Sequence, residues 1–165
     1  MHFTEPGLRL FQRYTKGCDV DQKHPEEMMP YSRLVKMAVS SGLKEINEVV
    51  VRRYFFKDHN GIVFALGRKN SSLQNDIDYC LVHPAMVGRV DGETLEVIYQ
   101  PFFVDGKNFR FSGTNNKTIQ KNGISDVEKG HFVSFHRGFA VEKLTPGEAL
   151  ELEQFNEDLV RSGLQ

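Results

Sequence analysis

Beyond residue 78 one pattern constrains the fold more than any other: short runs of β-branched and aromatic residues, parted by glycine-bearing turns. The runs are Tyr79 to Val82, Met86 to Val90, Thr94 to Phe103, Asn108 to Phe111 and His131 to Val141. Asp91-Gly92 and Asp105-Gly106 are turn pairs between them, because glycine enters the left-handed conformations that tight hairpins require. Five such strands suit a small barrel or a sandwich, and only a barrel leaves no sheet edge exposed.

A helix should close this region. Thr145, Pro146 and Glu148 stand in the order of an N-cap, a first-turn proline and a capping-box acid. Ala149, Leu152, Phe155 and Leu159 then form an apolar stripe, stopped by Gly163.

The first third reads differently. Leu8, Phe11 and Tyr14 suggest a short helix ending at Gly17, and Tyr31, Leu34, Val35 and Ala38 a second helix, begun by Pro30 and stopped at Ser41-Gly42. Val49, Val50, Val51, Tyr54, Phe55 and Phe56 are β-branched or aromatic, as are most of Ile62, Val63, Phe64 and Leu66. Asp58, His59, Asn60 and Gly61 separate the two runs, so the segment reads as a β-hairpin. The polar stretch from Gly67 to Asn75 is the clearest linker. The expected class is α+β: residues 1–75 as helices plus a hairpin, and residues 76–165 as a small OB-fold-like β-barrel with a C-terminal helix.

The hydrophobic fraction of 39% and a net charge of -1 exclude a disordered chain and a globally basic nucleic-acid binder. No run approaches the ~20 apolar residues of a membrane span, and the N-terminus lacks a basic-then-apolar leader, so a cytoplasmic location is expected. The two cysteines, Cys18 and Cys80, are too few for a disulfide framework or a four-thiolate zinc site. Each is a free thiol or a lone ligand. No glycine pattern of a nucleotide site occurs, and no Ser-His-Asp order can be assigned.

Few residues stand out chemically. Cys80, just past the linker, is placed where a partner could reach it, although a small buried hydrophobe is the commonest fate of a free cysteine. His131 and His136 lie five apart on one expected strand and so point to opposite faces. Val133 and Phe135 mark the core face, which leaves Ser134 and His136 on the accessible one. His83, before Pro84, is extended and expected to be structural. His2, His24 and His59 rank lower. Arg52-Arg53 and Arg68-Lys69 beside Tyr54, Phe55 and Phe56 admit single-strand stacking, yet such aromatics are more often core.

Two stretches resemble the HypC/HupF family of [NiFe]-hydrogenase maturation chaperones. Cys80-Leu81-Val82-His83-Pro84-Ala85, followed by a strand from Met86 to Val90, resembles the family's opening of cysteine, apolar residues and proline. Val127 to Leu144, with His136-Arg137-Gly138-Phe139-Ala140, followed by the capped helix with Glu148, Ala149 and Leu150, resembles its glycine, apolar strand and His-x-Gly-Phe-Ala signature. The resemblance spans residues 78–154 and departs from the family in three ways: the cysteine is internal, Gln100-Pro101 and Phe102-Phe103 stand where a Gly-Gly turn is usual, and the loop from Ser112 to Asp126 is enlarged.

The resemblance implies an OB-fold-like barrel and a scaffold rather than a turnover enzyme. Such a scaffold carries no permanent cofactor but transiently holds an iron fragment bearing cyanide and carbon monoxide. It implies a HypD-like protein and the hydrogenase large-subunit precursor as partners. Cys80 and His136 would form the metal-fragment or partner-binding site, with Cys80 as the thiolate ligand and Pro84, Gly138 and Phe139 supporting it. The alternatives are a diverged interaction module without metal chemistry, a single-stranded nucleic-acid binder, or an enzyme using Cys80 as nucleophile and His136 as base, for which no third acidic group can be named.

Overall fold

Thr4 starts the first helix by accepting the Gly7 amide on its hydroxyl at 3.1 Å. In the computed structural model, which describes residues 1–16 and 30–162, this helix is α1 (Glu5–Thr15), preceded by strand β1 (His2–Phe3). The chain divides into two units, Met1–Asp58 and His59–Gln165. The expected helix stops at Gly17 and Gly163, and Cys18 and His24, lie outside the described residues.

In the first unit, α2 (Pro30–Ser40) ends as its sequence suggests: Gly42 takes φ +72 and the Leu43 amide donates back to the Ala38 carbonyl at 2.9 Å. Strand β2 (Glu45–Ile46) pairs in parallel with β1. Gly7 lies so close to this strand that a Cβ there would sit 2.5 Å from the Ile46 carbonyl oxygen. Helix α3 (Glu48–Arg53) begins at Asn47, whose side chain accepts the Val50 amide. A π-helical turn (Tyr54–His59) follows, and then α4 (Asn60–Lys69).

The expected β-hairpin over Val49 to Leu66 is therefore helical throughout. Its buried members, Val50, Val51, Tyr54 and Phe55, repeat at helical spacing. The π turn additionally buries Phe56, giving three consecutive buried aromatics that fit neither a strand nor a regular helix. Tyr14 stacks on Phe55 with ring centroids 4.4 Å apart, so tertiary packing of this aromatic run overrides its β propensity.

The expected linker is likewise ordered. After α4 comes a 3-10 turn (Ser71–Asp76) and a one-turn helix α5 (Ile77–Cys80). Gly67 is needed because a Cβ there would collide with the Ile77 side chain. The division between the two units falls between Asp58 and His59 rather than after residue 75. Tyr79 to Val82, expected to be a strand, contains the end of α5 instead.

Seven strands follow: β3 (His83–Asp91), β4 (Thr94–Tyr99), β5 (Phe102–Asp105), β6 (Asn108–Phe111), β7 (Asn115–Gln120), β8 (Phe132–His136) and β9 (Phe139–Leu144). Five of them close into a barrel in the order β3-β4-β7-β9-β8, an OB-fold-like arrangement. Its neighbours are antiparallel except β7 and β9, which run parallel and share a single register pair, Gln120 with Phe139. Leu95, Val97, Ile119, Val133 and Phe135 fill the interior.

The expected run from Thr94 to Phe103 splits at Gln100-Pro101. β5 pairs with β6 in a separate hairpin, and Phe102 packs with Phe64, Ile77, Leu81 and Val160 in a second core. The run from His131 to Val141 splits at Arg137-Gly138, and His131 precedes β8.

The last helix, α6 (Pro146–Ser162), carries the expected reciprocal cap. The Thr145 hydroxyl accepts the Glu148 amide at 3.1 Å and the Glu148 carboxylate accepts the Thr145 amide at 2.9 Å. Its buried stripe is Ala149, Leu152, Asn156 and Val160, rotated from the expected one so that an asparagine replaces Phe155. No helix among the described residues is long and apolar enough to cross a membrane.

Candidate functional site

The one-turn helix α5 and the hairpin joining β8 to β9 bring the two motif stretches together. The His136 Nε2 atom lies 3.1 Å from the Cys80 carbonyl oxygen, across 56 positions of sequence. A carbonyl only accepts, so Nε2 carries the hydrogen and donates it. The imidazole thus meets the backbone of Cys80, and it holds the end of α5 against the end of β8.

The guanidinium of Arg137 reaches the sulfur. One of its nitrogens donates to Cys80 Sγ at 3.8 Å, and its carbon lies 5.6 Å from the ring centroid of the exposed Tyr79. Arg137 adopts φ +52 and Gly138 φ +80, the pair of left-handed residues that a two-residue hairpin needs. Burial pushes the Cys80 thiol above its ordinary value; the Arg137 charge draws it back down, and Asp76 adds to the rise.

His136 itself is only 2% exposed, which corrects the accessible position expected for it. Alternation fails because β8 shifts register between Ser134 and Phe135, so that Val133, Ser134, Phe135 and His136 are all buried. His59 packs edge-on against the His136 ring with centroids 4.9 Å apart. Burial lowers the His59 pKa to about 4, a hydrogen bond to Asn60 opposes that shift, and the Arg137 charge adds to it.

An amide clamp supports the other side of Cys80. The Asn60 side chain accepts the Val82 amide at 2.9 Å and donates to the Val82 carbonyl at 2.9 Å, while its Nδ2 also donates to Asn156 at 2.8 Å. Asn156 donates to the same carbonyl at 3.2 Å. With Asn60 and Asn156 both buried, the clamp satisfies groups that would otherwise be costly to bury. It ties α4, the chain entering β3, and α6 to one point two residues after Cys80.

Of the supporting residues, Gly138 forms the hairpin turn and Phe139 begins β9, paired with His136 and Gln120. Pro84 lies elsewhere: it pairs with Ser134 and lines a cavity of about 280 Å³ that does not include Cys80, His136 or Arg137 among its walls. Beside that cavity the Asp78 carboxylate accepts from the Tyr99 hydroxyl at 2.9 Å and the Phe102 amide at 2.6 Å, with His83 Nε2 at 3.3 Å. Burial alone would raise the Asp78 pKa, but the His83, Phe102 and Tyr99 contacts outweigh it and hold it below the ordinary value.

Sequence reasoning singled out Cys80 and His136 but not Arg137, Asn60 or Asn156. Asn60 was masked by its place in Asp58-His59-Asn60-Gly61, which has turn chemistry. For Asn156 the available signal was its position seven residues after Ala149 on the buried helical face. Among the described residues the free cysteine is Cys80, and no group of three or more His, Cys, Asp or Glu could hold an ion. No protein-family model matches the chain, and no curated protein matches it.

Proposed function

We propose that the barrel unit is a HypC/HupF-like accessory chaperone for metallocentre assembly, working in the cytoplasm. Cys80 is its point of attachment to a partner protein or to an iron fragment carrying cyanide and carbon monoxide, and a thiolate suits such a soft, π-accepting-ligand iron. The observation that supports this is the 3.1 Å contact joining His136 to Cys80, by which the two family-like stretches converge on one partly buried thiol. His136 orients the backbone that carries the sulfur, and Arg137 supplies a positive charge beside it. The fragment's remaining ligands come with it or from the partner.

The test is co-purification with a HypD-like protein or a hydrogenase large-subunit precursor. Tagged wild type should retain the partner and Cys80→Ala should lose at least about tenfold in affinity. No retention, or retention indifferent to the substitution, overturns the proposal.

A second reading, a diverged interaction module without metal chemistry, is favoured by the upward push of burial on the thiol. It requires Cys80 to be inert toward iodoacetamide in the folded protein while partner binding survives Cys80→Ala.

A further inference from the structure

We propose that the cavity between β3, the end of β4 and α6 binds an aliphatic cation, an ammonium or guanidinium on a hydrocarbon stem. This does not rest on the chaperone reading, since Cys80, His136 and Arg137 are not in its walls.

The cavity's volume of about 280 Å³ is at the small end for ligand pockets, which start near ~300 Å³. It suits a single short chain rather than a nucleotide or a flavin. Met86, Ile98, Phe111 and Phe132 supply apolar wall for a stem.

The charge sits on α6. Glu153 and Glu157 both line the cavity and are four apart on one helix, hence neighbours on its surface. Neither has an ion-pair partner among the described residues, and no lysine or arginine lines the cavity. Two unscreened like charges at this spacing destabilise a helix by a few tenths of a kcal/mol, a penalty that a bound cation removes.

A further polar wall residue comes from the barrel. His83 is 2% exposed and lines the same cavity. Its ring hydrogen bonds among the described residues run through Nε2, to the Asp78 carbonyl at 2.7 Å and near the Asp78 carboxylate. Since a carbonyl only accepts, Nε2 carries the hydrogen and turns that edge of the ring toward Asp78. Two carboxylates at an apolar slot, with the His83 ring also in its wall, complement the several N–H donors of an ammonium or guanidinium head.

The experiment titrates the full chain with n-pentylammonium, n-butylguanidinium, 1-pentanol and hexanoate, followed by amide chemical-shift mapping and calorimetry. Both cations should shift the amides of Met86, Phe132, Glu153 and Glu157, and bind at least about tenfold more tightly than the alcohol or the carboxylate. The double variant Glu153→Gln/Glu157→Gln, at exposed and half-exposed positions that leave the fold intact, should lose about that factor, whereas Cys80→Ala should lose none.

A blocked alanine peptide containing one lysine separates the sources. Tighter binding of the peptide than of the free amine identifies a partner's basic side chain as the occupant, and the reverse a free amine. Equal binding of alcohol and cation, no effect of the double variant, or shifts outside the cavity overturns the proposal.

Discussion

Arg137 stands in a left-handed backbone conformation at φ +52, which costs a side chain with a Cβ about 1 kcal/mol or more. Asn-Gly is the pair that such two-residue turns prefer, so arginine is a locally poor choice whose return must come from its side chain. That return is the guanidinium next to Cys80 Sγ and over Tyr79. Arg137→Gly should therefore raise the stability by about 1 kcal/mol in chemical denaturation. The same substitution should move the Cys80 thiol further above its ordinary pKa, seen as slower iodoacetamide alkylation at neutral pH and a pH profile displaced upward. Unchanged alkylation would remove Arg137 from the site. The motif around Cys80 and His136 was legible because it is local in sequence, but the arginine between His136 and Gly138 looked like a variable turn residue. Its importance lies in reaching 57 positions back along the chain.

At the scale of elements, the Asn60 clamp ranks its own members. Asn60→Ala strips the Val82 amide of its acceptor inside the protein, a loss on the order of 3 kcal/mol. Asn156→Ala leaves that amide bonded to Asn60 and should cost less, by at least about 1 kcal/mol in the same denaturant series. Equal losses would mean that the clamp contributes only packing. The barrel and α6 were readable because alternation in β4 and the capping box are short-range signals. The helix pair α3 and α4 was misread from its valines and aromatics, although Asn47 marks an N-cap and Val50, Val51, Tyr54 and Phe55 follow helical spacing. β7 went unseen because it buries only Ile119. Asn115, Asn116 and Lys117 become strand through pairing with β4, which no local propensity announces.

For the whole molecule, the two shifted groups of the barrel unit that titrate on the acid side, His59 and Asp78, point one way. The folded His59 takes up its proton only near pH 4, against an ordinary 6.5, so between those values the unfolded chain binds the extra proton and stability drains as the pH falls. Allowing for partial exposure, this amounts to roughly 2 kcal/mol. Asp78, depressed below its ordinary value, contributes stability above its unfolded pKa and loses it as pH falls through the folded one. Denaturation monitored from pH 7 to 3 should show a decline beginning near pH 6.5, and His59→Gln should flatten its upper part while leaving the lower part, which Asp78 governs. A variant that keeps the full slope would assign the decline to other groups. Closure of the sheet does not by itself name a task, since OB-like barrels serve many; the side chains at the two ends of β8 distinguish this one.

The parallel meeting of β7 and β9 has a mechanical corollary. Every other wall of the ring is stitched by several rungs, whereas here one pair, Gln120 with Phe139, is reinforced by the Gln120 amide donating to Gly138 at 2.9 Å. That zip begins one residue from the arginine that touches the thiol, so tugging on Arg137 also pulls at the ring's thinnest stitch. Deuterium uptake at the Gln120 amide should be fast for a barrel position and slow sharply once a partner grips Cys80; uptake that ignores the partner would show the stitch to be bystander stuff. If uptake does slow, the same few atoms would be both clasp and sensor, and the cargo proposed for the sulfur would be felt as tension in the wall.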